Sequence, residues 1–245
     1  MRFTPPPRAR TFGERCLGLR IDQAAANTSA EAVVEGYRDA CPKVAGTRVS
    51  ENGHTRRRGG LWKEVEAAAR KCVLIGVPQS AGRCTFSREG TTLLVELPGG
   101  RRLHYRNARV ESAAPAYGGE KGLAARPRPS VHFDHPRRRG VQAYYGLLTE
   151  NLVQAICRDL LAAALLECER LGLPVVLHVH DEIVVEADEA TAEEALHRLA
   201  LVMSTPPAWA TGFPVEVEGF VAQRYAKDPP PGAPVVKARN GAIVG

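Results

Sequence analysis

The spacing of apolar positions changes several times along this 245-residue chain, and each change predicts an element. Residues 1–30, with "TPPPRAR" at 4–10, read as an irregular, extended segment. Thr28 and Glu31 then stand at capping-box spacing ahead of "AEAVVEGYRDA", a helical run that Pro42 stops. "AGTRVSENGHTRRRGG" (45–60) is polar, Gly-rich and basic, and reads as a flexible loop. "LWKEVEAAARKCV" (61–73) predicts a second short helix, with Leu61, Val65, Ala68 and Cys72 on one face. Over 83–106 the period falls to that of a strand. "TTLLVEL", Pro98-Gly99-Gly100 and "RRLHYRN" predict a β-hairpin with a three-residue turn. Residues 111–140 are rich in Pro, Gly and Arg and read mostly as loop.

The strongest helical signal is "TENLVQAICRDLLAAALLECERLG" (149–172). Thr149 is placed to cap it, Glu150 falls in its positive first turn, and Gly172 with Pro174 ends it. Leu152, Ile156, Leu160, Ala163 and either Ala164 or Glu167 trace its apolar stripe. Strands follow at 175–180 and 183–187, then a helix to about Met203 opened by the Thr191/Glu194 capping box. "FPVEVEGF" (213–220) alternates as a half-buried strand does, and the tail 228–245 reads as disordered. Helix, strand, tight turn, strand, helix, strand is the order of an antiparallel α+β layer.

Composition adds a charge asymmetry. Residues 1–140 carry 26 Lys+Arg against 13 Asp+Glu, whereas residues 141–245 carry 7 against 14. The basic part is mostly Arg, whose planar fork suits bidentate contact with phosphate; the alternative is an Arg-biased solvated surface. No apolar run reaches membrane-spanning length, and the start has no apolar stretch of signal-peptide length. The expectation is a cytoplasmic chain without a membrane partner. The six Cys (16, 41, 72, 84, 157, 168) form no C-x-x-C pair and read as reduced thiols.

The candidate chemistry lies in "VVLHVHDEIVVEA" (175–187), an apolar hairpin with His180, Asp181 and Glu182 at its tip. Asp181 and Glu182 are placed in its two-residue turn. Adjacent carboxylates repel, so either a cation meets them or water solvates them fully. A hard divalent cation such as Mg²⁺ suits such a site; an ordinary polar turn is the other reading. His178-Val179-His180 also has the form of a zinc pair, but no further His or Cys has the spacing to complete it.

"VVLHVHDEIVVE" resembles the last catalytic signature of the family A DNA polymerases, the His-Asp-Glu hairpin of the palm. Other segments resemble that family in order. "YYGLLTENLVQAICRDLLAAAL" (144–165) is similar to the helix before the hairpin, and "PPAWATGFPVEVEGFVAQRYAK" (206–227) to the C-terminal palm strand. "AVVEGYRDACPKV" (32–44) and "LWKEVEAAARK" (61–71) are similar to consecutive pieces of the helix that follows the fingers' nucleotide-binding helix. "LLVELPGGRRLHY" (93–105) is similar to the family's small hairpin.

The resemblance implies an antiparallel palm sheet with packed helices over 141–227, preceded over 31–140 by partial fingers helices, a basic insert at 45–60 and a small β-hairpin. It implies that Asp181 ligates catalytic Mg²⁺, two ions in a complete site, with Glu182 assisting as a ligand and His180 contacting the primer's terminal phosphate. Gln154, with Glu150, Asn151 and Arg158, falls on the helix that lines the primer–template minor groove. Gln there can meet the pattern shared by all base pairs. Primer–template DNA and deoxynucleoside triphosphates are the implied partners.

The chain departs from the family where the earlier palm strand with the other metal-binding Asp, and the nucleotide-binding helix, have no match. Leu147 and Leu148 stand where the family carries Gly and a basic residue. The expectation is therefore a C-terminal portion of a polymerase, inactive alone, with room for an upstream polymerase fragment acting in trans. The other reading is a non-catalytic DNA-binding remnant or the subunit of a split polymerase.

Overall fold

The computed structural model describes residues 32–51 except 34, then 54–114 and 127–244. The irregular segment expected at 1–30 and the Thr28/Glu31 cap lie outside the described residues. The chain divides into two units, Met1–Lys63 and Glu64–Gly245.

In the first unit, helical residues 35–40 precede a short helix α1 (Pro42–Ala45) and two strands, β1 (Thr47–Glu51) and β2 (His54–Arg58). Residues 45–60 are thus largely a hairpin, paired from Thr47↔Arg58 to Glu51↔His54, and not the loop its composition suggests. The alternating "TRVSE" and the Asn52-Gly53 dipeptide are hairpin signals that the polar composition hides. Arg57 fastens this hairpin to the preceding helix. Its guanidinium lies 2.9 Å from Glu35 and 2.7 Å from Asp39, and donates to the carbonyl of Arg38 at 3.1 Å. The Arg57 hydrogen bond, then that of Arg38, holds the Glu35 carboxyl below the ordinary range. A Cβ on Gly60, whose φ is +84°, would collide with the Gly46 backbone, so glycine permits this close approach.

Helix α2 (Leu61–Ile75), most of which belongs to the second unit, buries Val65, Ala68, Ala69, Cys72 and Val73, close to the predicted stripe. An antiparallel six-stranded sheet follows in simple sequential order: β3 (Gln79–Ala81), β4 (Cys84–Glu89), β5 (Thr92–Glu96), β6 (Arg102–Ala113), β7 (Arg128–His135) and β8 (Arg138–Ala143). The predicted hairpin is β5–β6, closed by Gly100 N–H donating to the Leu97 carbonyl. Much of 111–140 is strand where loop was expected. β7 buries Ser130, Val131, His132 and Phe133, and Phe133 meets Tyr105 edge-on with ring centroids 4.9 Å apart. Pairing with β6 on one side and β8 on the other supplies the hydrogen bonds that its Pro- and Arg-rich flanks do not advertise.

The long helix α3 runs Tyr145–Arg170, one turn earlier than predicted. Thr149 is therefore buried within the helix and does not cap it, and its Oγ1 has no hydrogen-bond partner. The helix changes its buried side half-way. Leu148 and Leu152 are buried in the first half and Leu161, Ala164 and Cys168 in the second. At about 100° per residue these sets lie on opposite sides. After Gly172, β9 (Val175–Val179) and β10 (Glu182–Val185) form a two-stranded hairpin.

Helix α4 (Ala192–Ser204) packs beside α3 and against a three-stranded sheet of β11 (Glu216–Phe220), β12 (Val235–Arg239) and β13 (Ala242–Ile243). Thr191 stands at its N-cap but makes no capping hydrogen bond; its hydroxyl donates to the Asp188 carbonyl instead. The tail expected to be disordered thus supplies two strands. Val236 and Ala238 alternate inward to a core with Leu196 and Ala200, which burial makes favourable despite the Pro-rich approach at 229–234. The molecule is an α+β protein, as its element order implied.

Candidate functional site

The hairpin tip is built by pairing Glu182 with Val179. This leaves His180 and Asp181 as the two turn residues and makes Glu182 the first residue of β10, one position away from the expected turn. His180 takes a left-handed φ of 52°, uncommon for a residue with a Cβ and more accessible to His than to branched residues. Ile183 anchors the tip. It is buried in a cluster with Leu161, Cys168, Leu173, Leu199 and Val202, so alternation sends Glu182 outward. His180, Asp181 and Glu182 are all exposed.

The apolar strand β9 is not fully covered: Val176 is 58% and Leu177 43% exposed. Both strands of the pair β9–β10 keep one edge without a partner among the described residues.

The Tyr225 hydroxyl donates to Glu182 Oε2 at 2.9 Å. That hydrogen bond, then the nearby negative charge, raises the Tyr225 pKa above its ordinary value. Sequence reasoning did not single out Tyr225. An exposed aromatic in the polar run "AQRYAK" carries no periodic signal, and only the return of the chain past the hairpin brings it to Glu182.

Beside the tip is a cavity of about 460 Å³, with Asp181 and Glu182 among its lining residues. It is lined by residues of β10, β11 and α4, together with Tyr225. Two runs of consecutive residues line it, Asp181 through Val185 and Glu216 through Val221. Successive side chains of a strand point to opposite faces, so a cavity touching every residue borders the strand's edge. Among the described residues β10 pairs only with β9, and β11 only with β12. Two unpartnered strand edges therefore flank one cavity above a shared helix. Leu199, buried with Ile183, and Leu196, buried with Val236 and Ala238, connect that helix to both sheets.

The second group of candidate residues lies on the first half of α3. Glu150, Gln154 and Arg158 are exposed and share one side of the helix, where the same stripe continues as the buried Leu161, Ala164 and Cys168. Gln154 donates to Glu150 Oε1 at 3.2 Å. Asn151 is turned partly inward, its amide donating to the Tyr105 hydroxyl at 3.1 Å. Burial pushes the Tyr105 phenol up, although the Asn151 bond opposes that shift. Arg101 ties the β5–β6 turn to this half-helix through Asp159 at 2.6 Å and the Ala155 carbonyl at 2.9 Å. The hydrogen bonds of Asn151 and Gln154 go to Tyr105 and Glu150, not to the hairpin tip.

Among the described residues no three His, Cys, Asp or Glu side chains gather to hold a metal ion. Asp181 and Glu182 alone do not fit a pair of divalent cations, because such cations take six or more oxygen ligands between protein and water and Glu182 is engaged with Tyr225.

Across 169 residues the chain is 35% identical to the DNA polymerase of Bacillus phage SP02. The chain is similar to part of a phage DNA polymerase. That alignment takes in 69% of this chain and 25% of the polymerase, so the chain spans about a quarter of its relative's length. No family model and no solved structure matches it. No helix among the described residues is long and apolar enough to cross a membrane.

Proposed function

We propose that this chain is the C-terminal, palm-bearing portion of a family A DNA-directed DNA polymerase. The reaction is attack of a primer 3′-hydroxyl on the α-phosphorus of a deoxynucleoside triphosphate. One P–O bond forms and the bond to pyrophosphate breaks. The observation that carries the reading is the pair of unpartnered edges, β10 and β11, flanking a cavity with Asp181 at its rim. A strand entering there would join both sheets over α4 and could bring a second carboxylate beside Asp181. The phage relative has the length to supply one, since three quarters of it lies outside the match.

Asp181, with Glu182 beside it and a second carboxylate supplied in trans, would hold divalent cations, and these would stabilise the charge on the transferring phosphoryl group. His180 would contact the primer's terminal phosphate. Gln154, Glu150 and Arg158 offer a polar side of α3 to a duplex, while Asn151 braces that helix on Tyr105. With no further His, Cys, Asp or Glu gathered beside Asp181 and Glu182 among the described residues, the chain alone is expected to be inactive.

The test is primer extension with Mg²⁺ and the four deoxynucleoside triphosphates, by the chain alone and after adding the part of the SP02 polymerase that lies outside the match. The expected result is incorporation only in the mixture, abolished by Asp181→Asn in this chain. Incorporation that survives Asp181→Asn would sink the catalytic assignment. No incorporation by the mixture, with DNA binding retained, would favour the non-catalytic DNA-binding remnant.

A further inference from the structure

Most arginines with resolved contacts bridge a carboxylate: Arg57 meets Glu35 and Asp39, Arg101 meets Asp159, and Arg170 meets Glu167. The turn joining β7 to β8 is different. It carries Arg137, Arg138 and Arg139 in succession, all exposed, and none has a hydrogen-bond or ion-pair partner for its side chain among the described residues. Like charges this close repel, and no acid among the described residues pairs with them.

The nearest acid on these strands is already committed. Asp134 accepts the Gly140 backbone N–H at 2.9 Å, the Asn107 amide at 3.2 Å and Arg109 at 3.3 Å. Those contacts, the Gly140 N–H foremost, keep its carboxyl below the ordinary range. Glu111 is likewise held by Arg109 at 2.6 Å. The contacts of Asp134 also fix the turn, since they pin the strand on both sides of it. His135 pairs with Arg138, Gly140 takes a φ of +65° and His135 Nδ1 accepts the Arg137 N–H at 3.2 Å. Alternation along β8 sends Arg138 and Arg139 to opposite faces with Arg137 at the apex, so the tip is cationic all round.

We infer that this turn is a DNA-backbone contact, in which Arg137, Arg138 and Arg139 engage phosphates outside the site formed by α3 and the His-Asp-Glu hairpin. Three guanidiniums radiating from the tip of a pinned hairpin can reach phosphates on either side of it, and Arg is suited to bidentate phosphate binding. These contacts carry no sequence information; they position the duplex. The inference rests on the polymerase reading only for the choice of DNA among polyanions.

The test is fluorescence anisotropy of a labelled primer–template duplex with the full chain, between 50 and 200 mM NaCl. Each phosphate neutralised contributes about 0.9 to the slope of log affinity against log salt. Replacing all three arginines by Gln is expected to lower that slope by about 2.7, so this fourfold rise in salt weakens the parent about 40-fold more than the variant. Each single Gln variant is expected to remove about 0.9. Arg170→Gln, which breaks a pair with Glu167, is expected to leave the slope unchanged. A triple variant with the parent's slope, or a parent that binds heparin and not the duplex, would overturn the inference. A lowered slope together with failed primer-extension complementation would retire the polymerase reading and leave this contact standing.

Discussion

Gly219 of β11 and Leu196 of α4 form a contact whose energetics can be worked through. A Cβ at Gly219 would come 2.8 Å from Leu196 Cδ1, closer than real side chains approach. Leu196 is only 6% exposed, packed with Ala200, Val236 and Ala238, and it borders the cavity beside Asp181. Gly219 does not have a left-handed φ, so alanine suits the backbone and would by itself stabilise by about 0.4–1 kcal/mol through the unfolded chain. Against this, the new methyl forces the Leu196 side chain to shift, costing about 1–3 kcal/mol. The expected net effect of Gly219→Ala is destabilisation by about 0.5–2 kcal/mol.

Leu196→Ala is expected to cost about 2–3 kcal/mol, near the lower end for a buried leucine because one side already faces open space. In the double variant the alanine methyl at 219 enters the volume that the leucine vacates. The double variant should therefore lose about 1–2 kcal/mol less than the two singles combined. Urea unfolding of the four proteins measures the cycle, with a constant slope confirming that only stability has changed. Additivity within about 0.5 kcal/mol, or a Gly219→Ala protein more stable than the parent, would refute the close approach of β11 to α4. That approach borders the proposed strand slot.

Three further outcomes are expected. Tyr225 has a raised pKa in the folded chain, so its bond to Glu182 contributes stability below the ordinary phenol pKa of about 10 and loses it as pH rises through the raised value. Phenolate absorbance should show late-titrating tyrosines, and Tyr225→Phe should remove one of them while leaving buried Tyr105; an unchanged late fraction would count against the contact. The Asp134 carboxyl is lowered, so its contribution is present above the ordinary carboxylate range and disappears as pH falls through the lowered value. Asp134→Asn should flatten the acid limb of the stability–pH curve, and an unaltered limb would contradict the assigned contacts. Thr149→Val replaces a buried hydroxyl without a partner by an isosteric methyl, and thermal unfolding should report stabilisation of about 1 kcal/mol. A lower Tm would mean that the hydroxyl is satisfied.

Local pattern made much of the second unit legible. Leu61, Val65, Ala68 and Cys72 marked α2, the glycines at 99 and 100 marked the β5–β6 turn, and the long apolar run marked α3. These signals lie within one element or one turn, where side-chain period and backbone period must agree. The His-Asp-Glu segment was likewise visible as letters, but its geometry was not. Ile183 chooses which residues occupy the turn by burying itself against α3 and α4, and so displaces Glu182 into β10.

What the sequence determined by itself was the order and type of these elements, because hydrophobic period is local. Only the tertiary structure decided the rest. Strands 47–58, 128–143 and 235–243 have polar or Pro- and Arg-rich compositions, and they persist because distant partners supply their hydrogen bonds and burial. Which face of α3 is buried changes midway because the first half is braced by β6 and the second by α4 and the hairpin. The unpartnered edges of β10 and β11 are likewise a fact of three dimensions. An edge is defined by the neighbour it lacks, and no spacing along one strand records that.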